Sequence, residues 1–248
     1  MSQSKALAGF HAVTARLRNA ADTIQALYYD PTRRDARMQQ LLARAQQAGV
    51  RPISADAARL QGLVGQTRHQ GVVALCAEST RVLSLEEVLD QLEARTLLLL
   101  LDGITDPRNL GACLRTAEAA GVSAVVLPRD RSASLSSEAL KAASGAVESL
   151  PVLPVVNLAR AMDQIKQAGV WIAGADHAAP LSVYGLDLPG PLAWALGAEG
   201  HGLRRLTRER CDQLASIPLA GQTESLNVSV ATGICLFETR RRWAAVAP

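Results

Sequence analysis

The sequence predicts an α/β protein of two units: a small α/β unit over residues 1–77, a linker over 78–84, and a larger parallel-sheet domain over 85–248. Three observations predict it. Apolar strand-sized runs alternate with helix patterns through the second part, as in a parallel sheet covered on both faces. The first 77 residues mix strand patterns with one clear amphipathic helix, over residues 33–49. Between the two parts, "ESTRVLSLEEV" (78–88) loses apolar continuity. Its Ser84 is a helix N-cap candidate.

In the first unit, residues 12–20 carry a short helix pattern and 23–29 a strand. Gly49 stops the amphipathic helix, as glycine does just past a helix end. Residues 50–54 and 71–77 read as strands. In the second part the strands are 96–102, 123–128, 153–156, 170–175, 192–197 and 214–219. Helices are expected at 109–121, 136–146, 158–169, near 203–211, and from 227 onward.

Composition narrows the class. The 248 residues are 48% hydrophobic with a net charge of +3. No apolar run comes near the length of a membrane span. The start, "MSQSKALAGF", lacks signal-peptide layout. Cys76, Cys113, Cys211 and Cys235 are scattered without metal-binding spacing, as buried thiols in a reducing cytoplasm would be; neither a membrane nor a metal partner is expected. Of 26 basic residues only Lys5, Lys141 and Lys166 are lysine; the rest are arginine, which grips phosphate bidentately. Aromatics at 3% argue against a base-stacking single-strand binder.

Ligands of such sheets bind beyond the carboxyl ends of the strands. Three junctions there are polar. "LDGITDPRNLGACLR" (101–115) leaves a buried strand at Asp102. It places Asn109 where an N-cap would fall and Arg115 near the middle of the helix. "LGAEGHGL" (196–203) offers Gly197, Gly200 and Gly202 for close backbone approach, with Glu199 its only charged residue. "IPLAGQTESLNVSVATGICLFE" (217–238) opens as a strand, ends as a helix, and carries Thr223, Glu224, Ser225 and Asn227 between. The glycine spacing G-x-x-G-x-G fits neither a dinucleotide fingerprint nor a P-loop. His201 could serve as a base; a surface histidine is the plainer reading. No Ser–His–Asp order emerges.

Together these three segments closely resemble the motifs of the SpoU/TrmH (SPOUT) RNA ribose 2′-O-methyltransferases, in order and position. "GFHAVTARL" and "RHQGVVA" resemble the L30e-like substrate-binding domain of the branch acting on 23S ribosomal RNA. The resemblance implies a trefoil knot in the C-terminal domain, S-adenosyl-L-methionine as cofactor, and a homodimer formed through that domain. The substrate implied is a guanosine of 23S ribosomal RNA, free or in a pre-ribosomal particle. Carried over by position, cofactor contacts fall at Gly197, Ile217 and Leu226, and the catalytic set is Arg115, Asn109, Glu199, Ser225 and Asn227. Arg115 has been assigned the base role by family analogy; a guanidinium holds its proton too firmly for this, so phosphate binding and alkoxide stabilisation suit it better. Asn227 and Ser225 would orient the hydroxyl, and Glu199 would fix Arg115 or Asn109. Two alternatives stay open: the same chemistry on transfer RNA, and a non-catalytic RNA-binding or ribosome-assembly protein of this fold.

Overall fold

The computed structural model describes residues 4–65, 69–77 and 83–245. The chain forms two compact units, residues 1–82 and 83–248. Of the linker expected at 78–84, residues 78–82 lie outside the described residues, as does Arg68 of the "RHQGVVA" segment.

The first unit runs β1 (Ser4–Ala8), α1 (Phe10–Asn19), β2 (Ile24–Tyr29), α2 (Ala36–Gln47), β3 (Pro52–Ser54), α3 (Ala57–Val64) and β4 (Val72–Ala77). Its sheet has the order β1-β4-β2-β3. β4 is antiparallel to both neighbours, and β2 is parallel to β3. Alternation along β4 explains the layers. Val72, Ala74 and Cys76 pack with α1 and α2 through Val13, Met38 and Leu41. Val73 turns to the other face, against Leu60 of α3. The sequence reading missed β1 and α3. β1 is an edge strand, and α3 carries Gly62 in its interior, which weakens the helical signal.

The second unit begins with α4 (Leu85–Leu89), then β5 (Leu97–Asp102), α5 (Pro107–Ala119), β6 (Ala124–Pro128), α6 (Ser137–Ala143), β7 (Val152–Val155), α7 (Leu158–Gln167) and β8 (Trp171–Ala175). β9 (Leu192–Gly197), α8 (Arg205–Arg210), β10 (Gln213–Ala215) and α9 (Val228–Ala245) complete it. The six strands are ordered β10-β8-β9-β5-β6-β7, every adjacent pair parallel. All of Leu97 to Asp102 is buried. Leu97, Leu99 and Leu101 face one core with α5 and α9; Leu98 and Leu100 face the other with α7 and Leu85. Ser84 caps α4 in a reciprocal capping box with Glu87.

Two readings are corrected. Asn109 is not the N-cap of α5: Asp106 accepts from the Arg108 amide, and Pro107 occupies the first helical position, where no amide is needed. The last strand ends at Ala215, so Ile217–Leu219 is not strand; Ile217 is half-buried and Leu219 exposed. Within α9, Arg240 and Arg242 tie the helix to neighbouring carbonyls. Arg240 donates to the carbonyls of Ala120 (2.7 Å) and Gly121 (2.5 Å) beyond α5, and Arg242 to that of Leu186 (2.8 Å).

Arg241 and Arg242 both bond Glu238, whose side chain is only 7% exposed. Hydrogen bonding from Arg241, then Arg242, holds the Glu238 carboxyl at about 2 against an ordinary 4.5. A carboxyl depressed on folding stabilises above its unfolded pKa and loses that contribution as pH falls toward the folded value. Glu238→Gln should therefore lower Tm at pH 7 by roughly 5 °C. The gap to the native protein should shrink between pH 4.5 and 2. Melting curves across that range check it.

Candidate active site

The carboxyl ends of β5 and β9 are register neighbours, Asp102 opposite Gly197. Asp102 is buried, and its Oδ2 accepts the Arg204 amide at 2.9 Å. The Arg204 guanidinium lies 3.5 Å from Oδ1, a charge contact without hydrogen-bond geometry. This anchors the far end of the glycine loop. The near end closes on itself: the Gly202 amide donates to the Ala198 carbonyl at 2.9 Å. A Cβ at Gly197 would overlap the main chain of Gly202 and Leu203. Only glycine permits that approach.

From this loop Glu199 reaches the start of α9. Asn227 stands directly before the helix, and its carbonyl accepts from the Ala231 amide. Its side-chain Oδ1 accepts from the Ser229 amide (2.9 Å) and hydroxyl (2.6 Å). Because Oδ1 faces an obligate donor, the amide group can point only one way. Nδ2 then donates to Glu199 Oε1 (2.5 Å) and to Asn109 Oδ1 (2.9 Å). Asn227 is the cap, and all four of its side-chain bonding positions are used. Left over are one oxygen of Glu199 and the amide hydrogens of Asn109, an acceptor and a donor on the two partners of the Asn227 amide.

Beside this trio lies a cavity of about 260 Å³. Gly197, Ile217 and Leu226 all line it, as do Glu199 and Ser225. Ser225 is exposed and joins no hydrogen bond among the described residues. His201 is exposed outside the trio.

Arg115 does not join the cluster. Six residues along α5 rotate it about 240° from Asn109. It is exposed, with no hydrogen bond or ion pair among the described residues. Glu199 accordingly fixes Asn109 only through Asn227, and does not fix Arg115. One acid was missed by the sequence reading, and another was named there without a role. Asp176, just past β8, and Glu224 both line the cavity. The carboxyl-end rule, applied to β8 as to its neighbours, would have found Asp176.

Residues 96–237 match the model of the SpoU rRNA methylase family, and residues 6–82 that for RNA 2′-O ribose methyltransferase substrate binding. The chain belongs to the SpoU rRNA methylase family. It is 54% identical over 246 residues, 99% of each chain, to the 23S rRNA (guanosine-2′-O-)-methyltransferase RlmB of Ralstonia nicotianae. An RNA 2′-O ribose methyltransferase crystal structure superposes with TM-score 0.73 at 27% identity, over 98% of this chain and 90% of that one. So does an AdoMet-bound rRNA methyltransferase from Sinorhizobium meliloti, with TM-score 0.67 at 26% identity over 96% and 87%.

The cavity fits the SpoU cofactor on chemical grounds. Leu196, Ile217, Leu226 and Val228 give an apolar wall for an adenine, and Glu199 and Glu224 give negative charge for a sulfonium and an ammonium. Burial keeps three of the thiols protonated: it pushes Cys113 up to about 11 and Cys211 and Cys235 to about 12.

The arginines near the loop are committed to acids. Arg204 serves Asp102, Arg205 pairs with Glu209 at 2.6 Å, and Arg208 with Asp176 at 3.0 Å. In the first unit, Arg33 stacks on Phe10 at 4.7 Å and pairs with Asp35. No helix among the described residues is long and apolar enough to cross a membrane.

Proposed function

We propose that this chain transfers a methyl group from S-adenosyl-L-methionine to the ribose 2′-hydroxyl of a guanosine in 23S ribosomal RNA. One observation carries the reading: the hydrogen-bonded trio Asn109–Asn227–Glu199 stands at the rim of a cavity lined by Gly197, Ile217 and Leu226. Identity of 54% across 99% of the chain with a 23S guanosine-2′-O-methyltransferase supports the substrate.

The bound cofactor supplies an already activated methyl group, so the residues need only align the hydroxyl and manage its proton. The free oxygen of Glu199 accepts that proton, and the Asn109 amide donates to the oxygen as its charge develops. Asn227 holds both in register. Ser225, on the cavity wall, orients the incoming ribose. Arg115 grips an RNA phosphate. Arg115→Ala should cut turnover by about 10²-fold while leaving cofactor affinity unchanged. Arg115→Lys should rescue little, since a lysine lacks the planar fork. Single-turnover rates check both; near-normal activity of the lysine variant refutes the fork.

The first unit, matched by the substrate-binding model, is the proposed RNA-binding part. A second copy of the chain is the proposed partner of α9. Val230 and Phe237 are each 51% exposed, and with half-buried Ile234 they form an apolar stripe at i, i+4, i+7. Sedimentation of the purified protein tests the dimer. Mapping 2′-O-methyl marks on ribosomal RNA from cells lacking the gene tests the function. One lost guanosine mark in 23S RNA is expected; a mark lost only from transfer RNA, or none lost, overturns it.

A further inference from the structure

We infer that Asp176 is a specificity-determining residue that reads the ribose hydroxyls of the cofactor; the inference rests on the cofactor reading above. The Asp176 side chain is 9% exposed and lines the cavity. Oδ1 accepts the Ala178 amide at 2.9 Å, and Oδ2 lies 3.0 Å from Arg208 Nε. The His177 ring is 3.9 Å away and otherwise exposed. A carboxylate has about four acceptor positions, so two remain on a group held firmly at the cavity wall.

Charge decides what those positions take. Arg208 already offsets the charge of Asp176. Glu199 and Glu224, on the same cavity, make no ion pair among the described residues. The two cationic groups of the donor therefore match Glu199 and Glu224, and Asp176 is left for neutral O–H donors. Topology agrees. β8 borders β9 on the side away from β5, whereas Asn109 follows β5. Asp176 thus stands across β9 from Asn109, and the non-reacting part of the cofactor is assigned to that side. A carboxylate at a strand end binding ribose hydroxyls is recurrent chemistry in parallel α/β sheets. Arg208 on α8 acts as a positioning residue, fixing the carboxylate.

The test is binding by calorimetry without RNA. The ligands are S-adenosylhomocysteine, its 2′-deoxy and 3′-deoxy analogues, and 5′-methylthioadenosine, which lacks the amino-acid end. The native protein should bind at least one deoxy analogue about tenfold more weakly than S-adenosylhomocysteine. Asp176→Asn should weaken S-adenosylhomocysteine and methylthioadenosine by a similar factor and erase the deoxy discrimination. Native protein that binds both deoxy analogues as well as the parent overturns the inference alone, whether or not the variant folds. So does a variant that keeps the discrimination, or one that loses affinity for S-adenosylhomocysteine but not methylthioadenosine. Native protein that binds none of the four overturns the cofactor reading and this inference with it.

Discussion

Gly197→Val should abolish cofactor binding. The Gly197 position has no room for a side chain, because the main chain of Gly202 and Leu203 lies where a Cβ would go. Larger residues forced into such a contact cost about 3 kcal/mol or shift the backbone. The part free to shift is the 198–203 loop, which is one wall of the cavity and carries Glu199. β9 itself is buried between β8 and β5, so the sheet should persist. Calorimetry should detect no S-adenosylmethionine binding at millimolar ligand, while circular dichroism stays close to native. Native affinity in Gly197→Val would place the cofactor elsewhere.

The second large effect belongs to Asn227. Its amide donates to Glu199 and Asn109 at once, and its oxygen is held by Ser229. Asn227→Asp keeps the shape and removes both donors, setting a carboxylate against Glu199. Turnover should fall by about 10³-fold, the loss typical of a dismantled stabilising donor set. Cofactor affinity should change by less than about threefold, because Asn227 is not part of the cavity lining. Glu199→Gln should lose comparable turnover, since the acceptor for the proton is gone. Pre-steady-state methyl transfer, with binding measured separately, distinguishes the two stages. An Asn227→Asp enzyme with native turnover would remove the trio from the chemistry.

The sheet was legible because burial on both faces leaves an unmistakable run: Leu97 to Leu101 can be little else. The same apolar signal misled at Ile217–Leu219, where the residues wall a cavity and extend no strand. Periodicity reports burial, whichever surface does the burying. Asn109 was read as a cap although "DP" at 106–107 is the stronger helix start; the structure frees Asn109 for Asn227. Three of the five expected catalytic residues meet in one hydrogen-bonded chain, and a fourth, Ser225, lines the adjoining cavity. Arg115 stands apart, about 9 Å along α5 from Asn109 and on another face of the helix. Asp176 escaped notice because its strand end carries a single acid without a glycine-rich or polar run, a pattern common in ordinary loops. Arg204, Arg205 and Arg208, after the glycine loop, each meet an acid, Asp102, Glu209 and Asp176, which sequence alone does not reveal.

At the centre of the account is one cleft that seats a methyl donor beside a ribose. The most direct test incubates the purified chain with methyl-labelled S-adenosylmethionine and a 23S RNA fragment, then digests the RNA to nucleosides. The account predicts label on the ribose of a single guanosine, absent with Asn227→Asp. Label on a base, or none from a chain that binds both cofactor and RNA, would contradict it.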